Sequence, residues 1–218
     1  MPPILSAVYL LLALTGTGLN LIAPETGAGV IKALPARFLA VCAWTHSRPR
    51  FGLWVVIAVA LGAVGDYSLA TAERAWFMPG LLAFLAGHVA YSVAFAKDLK
   101  WTRRRGVVIA VTAAVMAALV AAVSVRMVRA GEYGLTAAVM VYVTVMGIMT
   151  ALAILHQSPT RLIAAGGVVF VLSDSHIAVN HMLLTAPRPG VALSGYATYY
   201  LAQYLLVAGV LCESRQAD

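Results

Sequence analysis

Apolar residues run along this chain in eight long blocks, at roughly residues 3–23, 28–44, 51–71, 76–96, 106–127, 134–155, 161–183 and 191–212. Each falls within the about 17–25 residues that a helix needs to cross the hydrocarbon layer of a bilayer. The breaks between them carry turn residues and charge: Pro24-Glu25-Thr26-Gly27, His46 to Arg50, Ala72-Glu73-Arg74, Lys97 to Arg105, Arg129 to Glu132, Gln157-Ser158-Pro159 and Pro187-Arg188-Pro189-Gly190. Lys32, Pro35 and Arg37 interrupt the second block. No internal repeat and no low-complexity segment stands out. The pattern predicts an all-α polytopic membrane helix bundle of about eight transmembrane helices.

Composition sharpens this reading. The chain has 218 residues, 62% of them apolar and only 11% charged. Soluble domains average roughly 45–50% apolar and about 25% charged, so a soluble domain is excluded. Eight spans with short loops use up the chain, which makes 1–218 a single integral membrane domain. The start, Met1-Pro2-Pro3-Ile4-Leu5, lacks a basic leader and is followed by no clear cleavage site, so the first block is expected to be retained.

The net charge of +7 invites a nucleic-acid partner, but its distribution argues for a membrane instead. Most basic residues lie in the short breaks, where positive-inside bias accounts for them. Arg48, Arg50, Lys97, Lys100, Arg103, Arg104, Arg105, Arg161 and Arg215 fall on one side, nine in all, against Arg74, Arg126, Arg129 and Arg188 on the other. That bias predicts both termini in the cytoplasm, in a multi-pass protein of the cell membrane. The run from Lys100 to Arg105 then meets anionic head groups rather than nucleic acid. Cys42 and Cys212 near block ends form neither a disulfide framework nor a metal-type spacing. The oligomeric state has no signature in the sequence.

Of eight acidic residues, only Asp66 and Asp174 fall inside predicted spans. An intramembrane Asp costs on the order of 2.5–3.5 kcal/mol by insertion scales and marks a functional site by default. A structural salt bridge to Lys32 or Arg37 is the plainer alternative. At ~1.5 Å per residue, Asp66 lies roughly 22 Å and Asp174 roughly 21 Å above the cytoplasmic face. Lys32 falls in the same layer, so two carboxylates and a lysine are expected to meet in the outer half of the bundle.

The neighbouring spans add polar groups at helical spacing. Gly80, Phe84, Gly87 or His88, and Tyr91 share one stripe, with glycines that admit a neighbouring helix. Asp174 and His181 are seven apart on one face, and His176 and Asn180 four apart on another. Tyr199 and Gln203, four apart, share a stripe of the last span. His88 as a core histidine, Tyr91 as packing and Gln203 as interhelical glue are the structural alternatives.

Together, Gly65-Asp66, Phe77, Gly80, Phe84, Gly87-His88, Tyr91, Gly166-Gly167, Phe170, Ser173-Asp174, Ala178 and Tyr199-Tyr200-Leu201-Ala202-Gln203 resemble the lysoplasmalogenase, or YhhN-like, family of multi-span membrane proteins. The resemblance covers roughly residues 30–205. Lys32 is similar to the lysine of a family Lys-Pro pair, although Ala33 stands where proline is usual. His176, Asn180 and His181 lie outside the pattern. The resemblance implies hydrolysis of the vinyl ether bond of lysoplasmalogens to a fatty aldehyde and a glycerophospho-ethanolamine or -choline. It implies Asp66 and Asp174 as the catalytic pair, and Lys32, His88, Tyr91, Tyr199, Tyr200 and Gln203 around a lysophospholipid substrate in contact with membrane lipids.

That chemistry suits the residues. A vinyl ether hydrolyses when a general acid protonates its β-carbon, giving an oxocarbenium ion that water captures. One carboxyl must be protonated and another ionised nearby, and a close Asp pair titrating as one unit supplies both. No metal and no cofactor is required. Two other readings remain open at this point. A zinc-dependent lipid hydrolase would draw on His88, His176, His181, Asp66 and Asp174. His176 and His181, five apart, point about 140° from one another at ~3.6 residues per turn, which disfavours one shared ion. A small proton-coupled transporter would use Asp66, Lys32 and Asp174 as relays, but shows no inverted repeat.

Overall fold

A computed structural model describes residues 1–22, 29–47, 49–70, 74–186 and 188–216. The expected turns at Pro24-Glu25-Thr26-Gly27 and Ala72-Glu73, together with Arg48, Pro187, Asp218 and the His181 side chain, lie outside the described residues. Helices follow one another as α1 (Pro3–Ile22), α2 (Gly29–Lys32), α3 (Leu34–His46), α4 (Pro49–Ala70), α5 (Phe77–Phe95), α6 (Arg103–Arg129), α7 (Tyr133–Leu155), α8 (Leu162–Ala178) and α9 (Pro189–Gln216). A single 3-10 turn, Arg74–Trp76, precedes α5, and a π turn, Val179–Leu183, extends α8. Among the described residues the only β-type pairing is an isolated bridge between Leu99 and His156.

The second apolar block is two helices rather than one. Pro35 has no N–H for the carbonyl of Ile31 and its ring crowds that carbonyl, so the chain stops at Lys32 and restarts with proline in the first turn of α3. Tyr200 donates to the Lys32 carbonyl at this break (3.1 Å). The other ends are set by local chemistry. Thr102 caps α6, its hydroxyl accepting from the Arg105 N–H. Gly131 closes α6 at φ 76°, with Glu132 N–H on the Met127 carbonyl and Gly131 N–H on that of Val128, the paired closure that a left-handed residue permits.

Among the described residues four helical stretches are long and apolar enough to cross a membrane alone: Gly52–Leu69, Phe77–Phe95, Arg103–Arg129 and Tyr133–Leu155. Pro3–Gly18 and Leu162–Ala178 are shorter apolar helices. α6 is peripheral and turns Val107, Val111, Val115 and Val125 outward, as a lipid-facing helix does. In the interior α4 packs along α5, α6 along α7 and α8 along α9. The α8–α9 approach is close because Gly166 and Gly209 lie at it. A Cβ at Gly166 would come within 2.9 Å of the Leu206 nitrogen, and one at Gly209 within 3.0 Å of the Ile163 nitrogen.

One end of the bundle gathers the α5–α6 and α7–α8 connections, through Lys100 N–H to the Leu155 carbonyl and Gln157 N–H to that of Asp98. Arg105 ties the same two segments by donating to the Leu155 carbonyl (2.7 Å). The last turns of α9 reach this end through Glu213 on His156 (3.0 Å). α1 starts there too, since Ser6 meets Tyr204 (2.9 Å) and Tyr9 donates to the Tyr200 carbonyl. Both chain ends therefore share a side with Lys97, Lys100, Arg103, Arg104, Arg105 and Arg161.

Candidate active site

A cavity of about 170 Å³ opens between α4, α5, α7, α8 and α9, and both Asp66 and Asp174 line it. Each carboxylate is held by a tyrosine from a different helix. Tyr199 on α9 donates to Asp66 Oδ2 (3.0 Å), and Tyr142 on α7 donates to Asp174 Oδ2 (2.7 Å). Each tyrosine oxygen accepts in turn from a buried group behind it. Gln203 Nε2 donates to Tyr199 (3.2 Å), while Tyr91 donates to Gln203 Oε1. His88 Nε2 lies 2.9 Å from the Tyr142 oxygen. Because the phenol proton is committed to Asp174, the imidazole must donate through Nε2. Nε2 also stands 3.7 Å from Asp174 Oδ2, and Nδ1 is buried with no partner among the described residues.

The two relays run in parallel and share a spacer. Phe170 packs edge-on against His88 (4.8 Å between centroids) and against Tyr199 (5.7 Å). Phe84 packs edge-on against Tyr199 from the other side at 5.7 Å. Aromatic pairs prefer this geometry; here Phe84 and Phe170 brace the Tyr199 ring, and His88 packs edge-on against that of Tyr142 at 5.2 Å. Two glycines of α4 make room for it. A Cβ at Gly65 would stand 2.6 Å from the Phe84 ring, and one at Gly62 would stand 2.9 Å from Gln203 Nε2.

The expected site residues thus fall into two sets. Lys32, Asp66, Asp174, Tyr199 and Tyr200 line the cavity. His88, Tyr91 and Gln203 are buried behind it; His88 and Gln203 touch Tyr142 and Tyr199, and Tyr91 reaches Tyr199 through Gln203. The two carboxylates share no hydrogen bond; each answers to its own phenol. Among the described residues Lys32 has no carboxylate at ion-pair distance, and its ammonium lies 5.9 Å from the centroid of the Tyr196 ring. Arg37 is exposed, away from the cavity. Of the remaining histidines, His176 is turned onto the Leu172 carbonyl through Nδ1 (2.7 Å). Among the described residues no three His, Cys, Asp or Glu side chains come together as a metal site would need.

Sequence reasoning missed Tyr142 and Tyr196. Tyr196 had a faint signal, since it sits three and four residues before Tyr199 and Tyr200. Tyr142 had none, being one aromatic in the apolar run from Leu135 to Leu155.

Residues 28–210 match the YhhN family model. The chain belongs to the YhhN family. Family membership agrees with an all-helical membrane bundle and covers every residue of both relays. Curated relatives include proteins named lysoplasmalogenase from Mycobacterium bovis and Mycobacterium tuberculosis. Each is 33% identical over 185 residues, 82% of this chain and 68% of the relative. The human protein named lysoplasmalogenase TMEM86A is 31% identical over 170 residues, 74% of this chain and 66% of the relative. No solved structure matches the chain.

Proposed function

We propose that this YhhN-family protein is a lysoplasmalogenase, an intramembrane hydrolase of the vinyl ether bond of lysophospholipids, using Asp66 and Asp174 as acid and base. The observation that carries this reading is the placement of two carboxylates, each oriented by a phenol, on one cavity within the membrane bundle. The mycobacterial and human relatives named lysoplasmalogenase support the reaction class. Vinyl ether cleavage needs a proton donor for carbon and a base for water, and no leaving-group activation by a nucleophile. Lys32, the one cation lining the cavity among the described residues, is suited to the substrate phosphate. Tyr199 and Tyr200 border the substrate, whereas His88, Tyr91 and Gln203 act on it through the tyrosines. The basic end of the bundle, which also holds both chain ends, faces the cytoplasm of the cell membrane by the positive-inside rule.

The test is release of fatty aldehyde from a lysoplasmalogen by the purified protein in detergent. Wild type should turn over, and Asp66→Asn and Asp174→Asn should each abolish turnover while folding normally. Asp98→Asn is the matched control and should be silent, because Asp98 lies in a connection at φ 49°, a conformation asparagine tolerates. Either cavity mutant keeping most of the wild-type rate would sink the acid–base assignment.

A further inference from the structure

A second cavity, of about 80 Å³, lies between α5, α6, α7 and α8 and is walled by Leu81, Met116, Val120, Val143, Met146 and Met182. It is almost wholly apolar, and it adjoins the first cavity along Leu69, Phe77, Phe84, Tyr142, Asp174 and Ile177, which line both. Asp66 and Lys32 line only the first. The two chambers therefore differ in chemistry, and the two carboxylates differ in position: Asp174 stands at the junction and Asp66 on the polar side with the lysine.

Resting on the vinyl ether reading, we infer that the alkenyl chain lies in this apolar chamber with the glycerophosphate in the polar one, so that Asp174 is the proton donor and Asp66 the base. The substrate's double bond is unsymmetrical and lies across the junction of the two cavities. Its β-carbon carries the alkyl chain and its α-carbon carries the ether oxygen, so the β-carbon sits toward the apolar chamber. Asp174 gives its proton to the β-carbon, where the π electrons form the new C–H bond and leave an oxocarbenium ion at the α-carbon. Water adds to the α-carbon from the polar side as Asp66 takes its proton. In the collapse the glycerol oxygen leaves with the proton from Asp66, and the hemiacetal hydroxyl returns its proton to Asp174. One water is consumed, and both carboxyl groups regain their starting states. The walls of the chamber then set chain-length preference, since each methylene that fits or is refused changes transition-state binding.

Filling the chamber tests this directly. Val143→Phe on α7 and Val120→Phe on α6 narrow it from two different helices. The ratio of kcat/KM for long-chain over short-chain alkenyl substrates should fall by about tenfold or more in each. Val141→Phe, whose side chain faces outward, should leave that ratio at the wild-type value. Short-chain turnover in the same sample reports that a variant is folded, and either variant alone carries the measurement. An unchanged ratio in a folded chamber variant overturns the inference. Azide rescue tests the acid and the base separately. Azide needs no deprotonation to capture the oxocarbenium ion, so it should restore substrate consumption in Asp66→Ala and not in Asp174→Ala; the reverse overturns the assignment. A wild-type protein that releases no aldehyde from any vinyl ether would instead sink the reading on which this rests.

Discussion

Removing one hydroxyl, in Tyr142→Phe, separates the site's geometry from its packing. The phenyl ring stays, so the walls of both chambers keep their shape. What is lost is an oxygen 2.7 Å from Asp174 Oδ2 and 2.9 Å from His88 Nε2. A hydrogen bond to a charged group contributes about 1.5–3 kcal/mol. That bond strengthens as Asp174 gives up its proton and becomes anionic, so most of its worth appears in the transition state. At about 1.4 kcal/mol per factor of ten, kcat should fall roughly 10- to 100-fold, with KM changed much less. The assay is steady-state aldehyde release in mixed micelles, with thermal melting of the same preparation. A double mutant, His88→Ala with Tyr142→Phe, should cost little more than Tyr142→Phe alone, because His88 acts through the phenol. A melt like that of wild type with kcat within twofold would refute the relay.

Three further outcomes follow from other parts of the structure. Gly65→Ala should destabilise the fold by about 1–3 kcal/mol and lower activity, since its Cβ would sit 2.6 Å from the Phe84 ring that braces Tyr199; an unshifted melting curve with normal rate counts against that bracing. An acyl lysophospholipid of equal length should bind as a competitive inhibitor and release no fatty acid, because carbon protonation needs an electron-rich alkene; comparable ester cleavage would point to a different hydrolase. His156, at the basic end and outside the spans, faces acceptors through both ring nitrogens, the Lys97 carbonyl (2.9 Å) and Glu213 (3.0 Å). Burial opposes its charge, but Glu213 and the carbonyl outweigh burial and raise the imidazole above its ordinary value of about 6.5. A raised folded value means that this stabilisation is complete below about pH 6.5 and is lost as pH climbs through the folded value. The melting temperature should therefore fall over that rise, and Glu213→Gln should flatten the curve; a curve of the same steepness in Glu213→Gln would dismiss the contact.

The bundle was legible because its cause is one-dimensional: an apolar block of sufficient length has to be a helix in lipid. The two aspartates stood out for the same reason, since a carboxyl in such a block is costly, and both line one cavity. Depth along the helix even placed Asp66 and Asp174 in one layer. Rotation about the helix was harder. His88, Tyr91 and Gln203 have the spacing of residues facing a site, and they do face it, but from behind the tyrosines. A stripe specifies direction and not distance from a cavity. Tyr142 was invisible because a tyrosine that packs and a tyrosine that orients an acid look alike in an apolar run. The break at Ala33 was written in Pro35, yet nothing local says that Tyr200, 168 residues away, closes it. The apolar chamber is a space between four helices, and no residue of it is unusual by itself.

That each acid bonds its own phenol, and not the other acid, changes what the site can do. Two carboxyls that share one proton do so through a hydrogen bond between them. Here each is fastened by a phenol from another helix, Tyr199 to Asp66 and Tyr142 to Asp174, with Phe170 between the two tyrosine–donor relays. Such an arrangement is poor for passing a proton from one carboxyl to the other and good for addressing two atoms of a substrate. Vinyl ether hydrolysis has that demand, because the proton enters at one carbon and water at its neighbour. On the vinyl ether reading, the two hydroxyls would supply fixed dipoles at carboxylates whose charge changes during the reaction. Two tyrosines, each braced by a buried donor, therefore hold a pair of costly intramembrane acids in two fixed and non-equivalent positions, and the proposed order, Asp174 before Asp66, follows from the chemistry of the cavities each one lines.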